Sequence, residues 1–226
     1  MRVLLTGATG MVGQGVLREC LLDPDVERVL VIGRSSTGQT HAKLTERLVP
    51  DLFDLSSIAP QLVGYDACFF CLGVSSAGMS EADYRRLTYD LTVSAATLLS
   101  KQNLHMTFVY VSGTGTDSTE KGGSMWARVK GATENALLRL PFRAAYMFRP
   151  GIIRPMHGEV SKTRFYRLAY IVLAPIVSLL ARFFPRLVTT TERVGRAMLA
   201  VAKRGAPRPL VEHADINDIG REPPPS

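Results

Sequence analysis

Residues 2–22 read RVLLTGATGMVGQGVLRECLL, and the stretch TGATGMVG, Thr6 to Gly13, decides the fold. An apolar run, Val3 to Leu5, meets a glycine-rich turn, and the turn opens into a helical pattern from Met11 to Leu22. Strand, turn and helix in this order make the opening of a βαβ nucleotide-binding unit. Each glycine answers a different demand. Gly7 permits the tight turn, Gly10 lets backbone approach a diphosphate, and Gly13 lets the helix pack closely on the sheet. The backbone around Thr9, Met11 and Val12 completes the cradle, where unpaired N–H groups and the positive end of the helix dipole suit phosphate oxygens.

Working outward, apolar runs place strands at Arg2–Thr6, Arg28–Ile32, Thr45–Val49, Ala67–Leu72, Thr107–Ser112 and Ala144–Phe148. Helical stretches are expected at Met11–Leu22, near Ser56–Leu62, at Glu81–Lys101 and at Ser124–Leu140. Near-continuous apolar strands alternating with helices predict an α/β fold, a doubly wound parallel sheet covered on both faces. After Phe148 the pattern changes. RPGIIRPMHGEV is a Pro/Gly-rich loop, the expected substrate edge, and it leads into FYRLAYIVLAPIVSLLARFF, Phe165 to Phe184. The charge-free core of that stretch, Leu168 to Ala181, is fourteen residues long and contains Pro175. It is short for a membrane span and reads as a buried helix or a helix pair broken at the proline. Arg164, Arg167, Arg182 and Arg186 at its flanks leave an interfacial membrane helix or a homodimer contact as alternatives. A final helix, Glu192 to Lys203, precedes a short strand candidate, PLVE. The reading is one domain over residues 1–220, with 151–190 a small, mostly helical substrate-side insertion and 221–226 a flexible tail.

With 226 residues, the chain is long enough to bury a substantial core. Its three cysteines form no disulfide framework, and the first strand begins at residue 2, which points to a reducing cytoplasm and no leader. The net charge of +7 is unevenly spread: Arg139 to Arg208 holds fourteen Lys or Arg against Glu159 and Glu192, an excess of +12, so the remainder carries −5. That asymmetry suits an anionic small-molecule substrate, an acidic partner or a membrane surface. No nucleic-acid-binding signature accompanies it. His41, His105, His157 and His213 are scattered, and Cys68 and Cys71 sit three apart on a strand and so face opposite sides; no metal is expected.

The second strand ends at Gly33-Arg34, about twenty residues past Gly13, where an NAD site usually has an acid for the ribose 2′-hydroxyl. Arg34 stands there instead, followed by Ser35, and a guanidinium pairs with a 2′-phosphate. NADP(H) is therefore favoured over NAD(H). Asp51 and Leu52 follow the third strand and flank adenine. Cys71, Leu72 and Gly73 end the fourth strand in a small turn with room for the ribose.

These pieces together resemble the short-chain dehydrogenase/reductase superfamily, and within it the atypical branch grouped with NAD-dependent epimerases/dehydratases and Tat-interacting oxidoreductase-like proteins. TGATGMVG, the CLG after strand four, VYVSG at Val109–Gly113, RVKGATENAL at Arg128–Leu137 and FRPGIIRP at Phe148–Pro155 carry the likeness. The spacing of the first motif is G-x-x-G-x-x-G. The resemblance implies a Rossmann fold, an NAD(P) cofactor also touched by Pro150, Gly151 and Ile152, and a catalytic Ser with Tyr-x-x-x-Lys. Ser112 matches the serine, which holds the substrate oxygen, and Lys130 the lysine, which binds the nicotinamide ribose and lowers the phenol pKa. The tyrosine position is Trp126, whose indole N–H offers no acid that cycles near neutral pH. Tyr110 on the preceding strand, and Asp117, Ser118 and Glu120 in the flexible segment GTGTDSTEKGGS, are other proton sources, as is a water held by Ser112. Tyr84 and Tyr89 belong to the helix after strand four and pack or meet a partner subunit. Three functions fit: an NADP(H)-dependent oxidoreductase with altered acid–base chemistry on a small carbonyl or hydroxyl compound, a non-catalytic dinucleotide sensor or scaffold, or a peripheral membrane protein.

Overall fold

Val3 and Leu5 face one side of the first strand and Leu4 the other, and all three are fully buried. Burial on both faces requires a layer of helices on each. That is the architecture of the computed structural model, which describes residues 1–159 and 188–221. The strands are β1 (Arg2–Thr6), β2 (Arg28–Gly33), β3 (Leu44–Leu48), β4 (Ala67–Phe70), β5 (Thr107–Val111), β6 (Ala144–Arg149), β7 (Ile152–Arg154), β8 (Val188–Thr190) and β9 (Leu210–Glu212). Seven form one parallel sheet in the order β3-β2-β1-β4-β5-β6-β9, and β7 pairs with β8 beside it. This is the doubly wound sheet expected from the sequence.

On the Val3/Leu5 face lie α1 (Met11–Leu22), α5 (Thr191–Arg204) and α6 (His213–Ile219); on the Leu4 face lie α3 (Leu91–Gln102) and α4 (Met125–Leu138). Each fully buried Leu or Val in these two cores contributes roughly 1.5–3 kcal/mol. Cys68 packs in the second core and Cys71 against the first, as strand alternation requires. Helices α1 and α5 meet across glycines: a Cβ on Gly15 would stand 2.6 Å from the Thr191 Cβ, and one on Gly195 2.8 Å from the Glu19 Cγ. Arg196 Nε donates to Glu19 at 3.1 Å, and Lys203 Nζ donates to Asp23 at 2.8 Å and Asp25 at 2.6 Å, which binds the first helix to one near the other end of the chain.

Some elements differ from expectation. The single helix expected at 81–101 is α2 (Glu81–Arg85), a π turn (Arg86–Asp90) and then α3. A π turn keeps near-helical dihedrals, so apolar periodicity does not reveal it. Ile152–Arg154, expected as loop, pairs with Val188–Thr190; Pro150 and Pro155 cut that run too short for alternation to register. Helix α6 also went unanticipated, since HADINDI carries few apolar residues; Asp215 caps it by accepting from the Glu212 N–H at 3.1 Å. The apolar stretch Phe165–Phe184 and residues 222–226 lie outside the described residues. Among those described, no helix is long and apolar enough to cross a membrane.

Candidate functional site

Chain connections run to opposite sides of β1, towards β2 and towards β4, and the carboxyl ends of these strands open there into a crevice. It holds a cavity of about 690 Å³. Gly7, which lines it, has φ +74°, and a Cβ on it would stand 2.5 Å from the Cys71 carbonyl group, so both conformation and space demand glycine. A Cβ on Gly13 would stand 2.1 Å from the Gly7 oxygen, which fixes how closely α1 lies on the turn. Gly10 is less confined, its virtual Cβ 3.3 Å from the same oxygen, and its N–H donates to that oxygen at 2.9 Å. Gly10 also precedes α1 as its cap and supplies no capping side chain. The leading amides of α1, around Met11 and Val12, are therefore left for an external acceptor. Thr9 lines the cavity beside them, whereas Gly13 does not and serves packing.

Gly33, Arg34 and Ser35 form another wall of the cavity. Arg34 is exposed and has no ion pair or hydrogen bond among the described residues. The loop carrying it is tied down by Glu46 on β3, which accepts from the Ser36 hydroxyl at 2.6 Å, the Thr37 N–H at 2.8 Å and the Thr37 hydroxyl at 2.5 Å. Burial raises the Glu46 pKa, but these bonds outweigh it and hold the carboxyl below its ordinary value. Asp51 and Leu52 line the same cavity with Phe53, whose N–H donates to the Asp51 carboxylate at 2.9 Å. Arg86 of the π turn lies over the Phe53 ring at 5.3 Å. Phe53, Leu87 and Leu91 were not anticipated; the apolar Leu-Phe pair behind Asp51 was the available signal. Cys71, Leu72 and Gly73 line the remaining side, and nothing lies within 4 Å of a virtual Cβ on Gly73.

The expected catalytic pair sits just past β5, at Ser112, and in the second turn of α4, at Lys130. Lys130 Nζ donates to the Ser112 carbonyl oxygen, and burial brings its pKa down to about 8, with Glu134 acting in the opposite sense. The Ser112 hydroxyl is buried and donates to Glu134 at 2.6 Å. Ser112 does not line the cavity, and its one hydrogen is given to Glu134. Glu134 is fully buried and also takes two bonds from Arg149 on β6. Neither Glu134 nor Arg149 was anticipated; an acid four residues past the lysine and the arginine of FRPG were the available cues.

The segment after β5 is hydrogen-bonded onto one of its own side chains. The Asp117 carboxylate accepts from the Thr119 hydroxyl at 2.6 Å, and from the N–H groups of Gly122 at 2.7 Å, Thr119 at 2.9 Å and Lys121 at 3.0 Å. These bonds hold its pKa down to about 2. Trp126 is half-buried, its ring 3.4 Å from a virtual Cβ on Gly115, and it does not line the cavity. Pro150 O accepts from Thr114 N–H at 2.9 Å and Gly151 N–H donates to His213 Nδ1 at 2.8 Å, which commits those backbone groups; Ile152 is exposed on β7. Tyr110 is buried in the sheet core, and burial pushes its phenol up. Tyr84 is buried as well. Among the described residues, no cluster of His, Cys, Asp and Glu could hold a metal ion.

No family model matches the chain. Protein fmp52, mitochondrial, of Emericella nidulans is 30% identical over 164 residues, covering 70% of this chain and 69% of that protein. Protein HTATIP2 of Rattus norvegicus is 27% identical over 154 residues, covering 67% of this chain and 62% of that protein. Among solved structures, the Bordetella bronchiseptica enzyme WbmF in complex with NAD+ has the same fold, with a TM-score of 0.69 at 15% identity, over 96% of this chain and 76% of that one. The glycine turn, the parallel sheet wound about it and these relatives agree: the chain belongs to the atypical short-chain dehydrogenase/reductase branch that includes Fmp52 and HTATIP2.

Proposed function

We propose that this protein is an NADP(H)-dependent oxidoreductase acting on a small carbonyl or hydroxyl compound. One observation carries the cofactor assignment: Arg34, without an ion pair among the described residues, on the wall of a cavity whose floor is the Gly7–Val12 turn. The diphosphate rests on the leading amides of α1. Arg34 and Ser35 take the 2′-phosphate, a contact NAD(H) cannot make. Asp51, Leu52 and Phe53 border adenine, Cys71 to Gly73 border the ribose, and Lys130 holds the nicotinamide ribose. The bound cofactor supplies hydride. The proton comes from Lys130 or a bound water, since Trp126 has none to exchange and Ser112 gives its hydrogen to Glu134.

Calorimetric titration with NADPH and NADH tests the assignment, and tight NADPH binding with NADH at least tenfold weaker is the expected result. Equal affinities remove the role of Arg34. NADPH oxidation across aldehydes, ketones and quinones then tests catalysis. A second reading, a non-catalytic dinucleotide sensor, is favoured by Trp126 at the tyrosine position; clean binding with no turnover on the whole panel selects it.

A further inference from the structure

We propose that Glu134 is a positioning residue of the dinucleotide site, setting through Ser112 the direction and charge of the Lys130 ammonium. This rests on the cofactor reading above. A fully buried carboxylate is costly unless its lone pairs are met, and those of Glu134 are: Ser112 Oγ donates at 2.6 Å, Arg149 Nε at 3.0 Å, and Arg149 Nη2 closes the second arm of a fork. The Ser112 hydroxyl also lies 3.1 Å from the Phe148 carbonyl, but it has one hydrogen, and the ionised acceptor is the stronger and nearer.

Ser112 is thus held from both ends, its side chain by Glu134 and its carbonyl by Lys130. Lys130 and Glu134 are four apart on α4 and share a face, so the carboxylate's charge opposes the desolvation of the ammonium. Among the described residues, Arg149 from β6 and Tyr110 from β5, which burial keeps protonated and which the Tyr84 phenol from α2 neighbours, also face Glu134. Among the described residues, Glu134 is the carboxylate that acts on Lys130. Arg149 continues to Ser118 at 2.6 Å and to Glu212 at 3.1 Å. One buried carboxylate therefore links the lysine, the loop after β5 and the start of α6.

The test is calorimetry of NADPH binding to the full chain between about pH 7 and about pH 9.5, above the titration of the 2′-phosphate. In the cofactor-free protein, competitive acetylation of the Lys130 amine read by mass spectrometry gives the same information. Wild-type affinity and amine reactivity should both turn over near pH 8. Glu134→Gln should move both midpoints down by about half a unit or more, because the charge favouring ammonium is gone. Ser112→Ala should move them up, because the carboxylate no longer shares its charge with the hydroxyl. Opposite shifts are not expected of a residue that only supports the fold. If Glu134→Gln fails to fold, Ser112→Ala carries the test, since it leaves the Glu134–Arg149 pair in place. Coincident midpoints in the variants and wild type overturn the proposal. Absence of heat with NADPH overturns the cofactor reading instead, while the labelling still reads the coupling of Glu134 to Lys130.

Discussion

Gly13 lies so close to Gly7 that a Cβ on the first would stand 2.1 Å from the carbonyl oxygen of the second. Neither partner can yield easily, since one is helix backbone and the other is backbone of the tight turn after β1. Gly13→Ala should cost roughly 3 kcal/mol or more. Gly10→Ala, whose Cβ has 3.3 Å, should leave the melting temperature near wild type and weaken NADPH. Thermal melts with and without NADPH separate the two effects.

Arg34→Ala removes a cation that has no ion pair among the described residues. NADPH affinity should fall by about ten- to a hundredfold, the worth of a charge-assisted bond. NADH affinity should stay unchanged. Competition titrations with the two nucleotides measure the ratio, and a parallel loss for both would place Arg34 outside the 2′-phosphate contact.

Trp126→Tyr restores the phenol–lysine spacing on α4, four residues from an ammonium already brought to about 8. Reduction of a carbonyl substrate found in the NADPH panel should rise by about a hundredfold, within the usual range for general-acid catalysis. Absorbance at the NADPH band follows it directly. A variant no faster than wild type would mean that the indole position is not adjacent to the reacting oxygen.

Arg149→Met strands the buried Glu134 carboxylate and should destabilise by about 3–5 kcal/mol. Glu134→Leu combined with Arg149→Met should recover much of that loss, because an apolar pair needs no compensation. Urea denaturation of the single and double variants gives the comparison.

Asp117 has a depressed pKa, about 2 against an ordinary 3.8, so its contribution is fully present above pH 4 and is lost as the pH falls towards 2. Protection of the amides of Thr119, Lys121 and Gly122 from exchange should decline through that window. Asp117→Asn should show the lower protection already at pH 6 and no acid step of its own.

The first βα unit was readable because its demands are local. A strand, three glycines and a helix lie within residues 2–22, and each glycine's role follows from backbone sterics. Arg34 was readable for the same reason, standing at a set distance past a turn. The Glu134–Arg149 pair was not, because its partners lie on α4 and β6, and nothing in either local pattern names the other. The loop 113–124 read as flexible on its Gly, Ser and Thr content, and the hydrogen bonds that Asp117 gathers there were not foreseen. One carboxylate, Asp117, gathers its amides, and composition does not reveal which acid turns inward.

The glycine contact between α1 and α5 has a consequence for synthesis. The helix whose leading amides border the cavity is supported on its far side by Thr191, Gly195, Arg196 and Lys203, about 180 positions downstream. During translation that support is missing until residues 191–203 have left the ribosome. Nascent chains halted before residue 190 should therefore fail to retain nucleotide, even though every group lining the cavity has already been made.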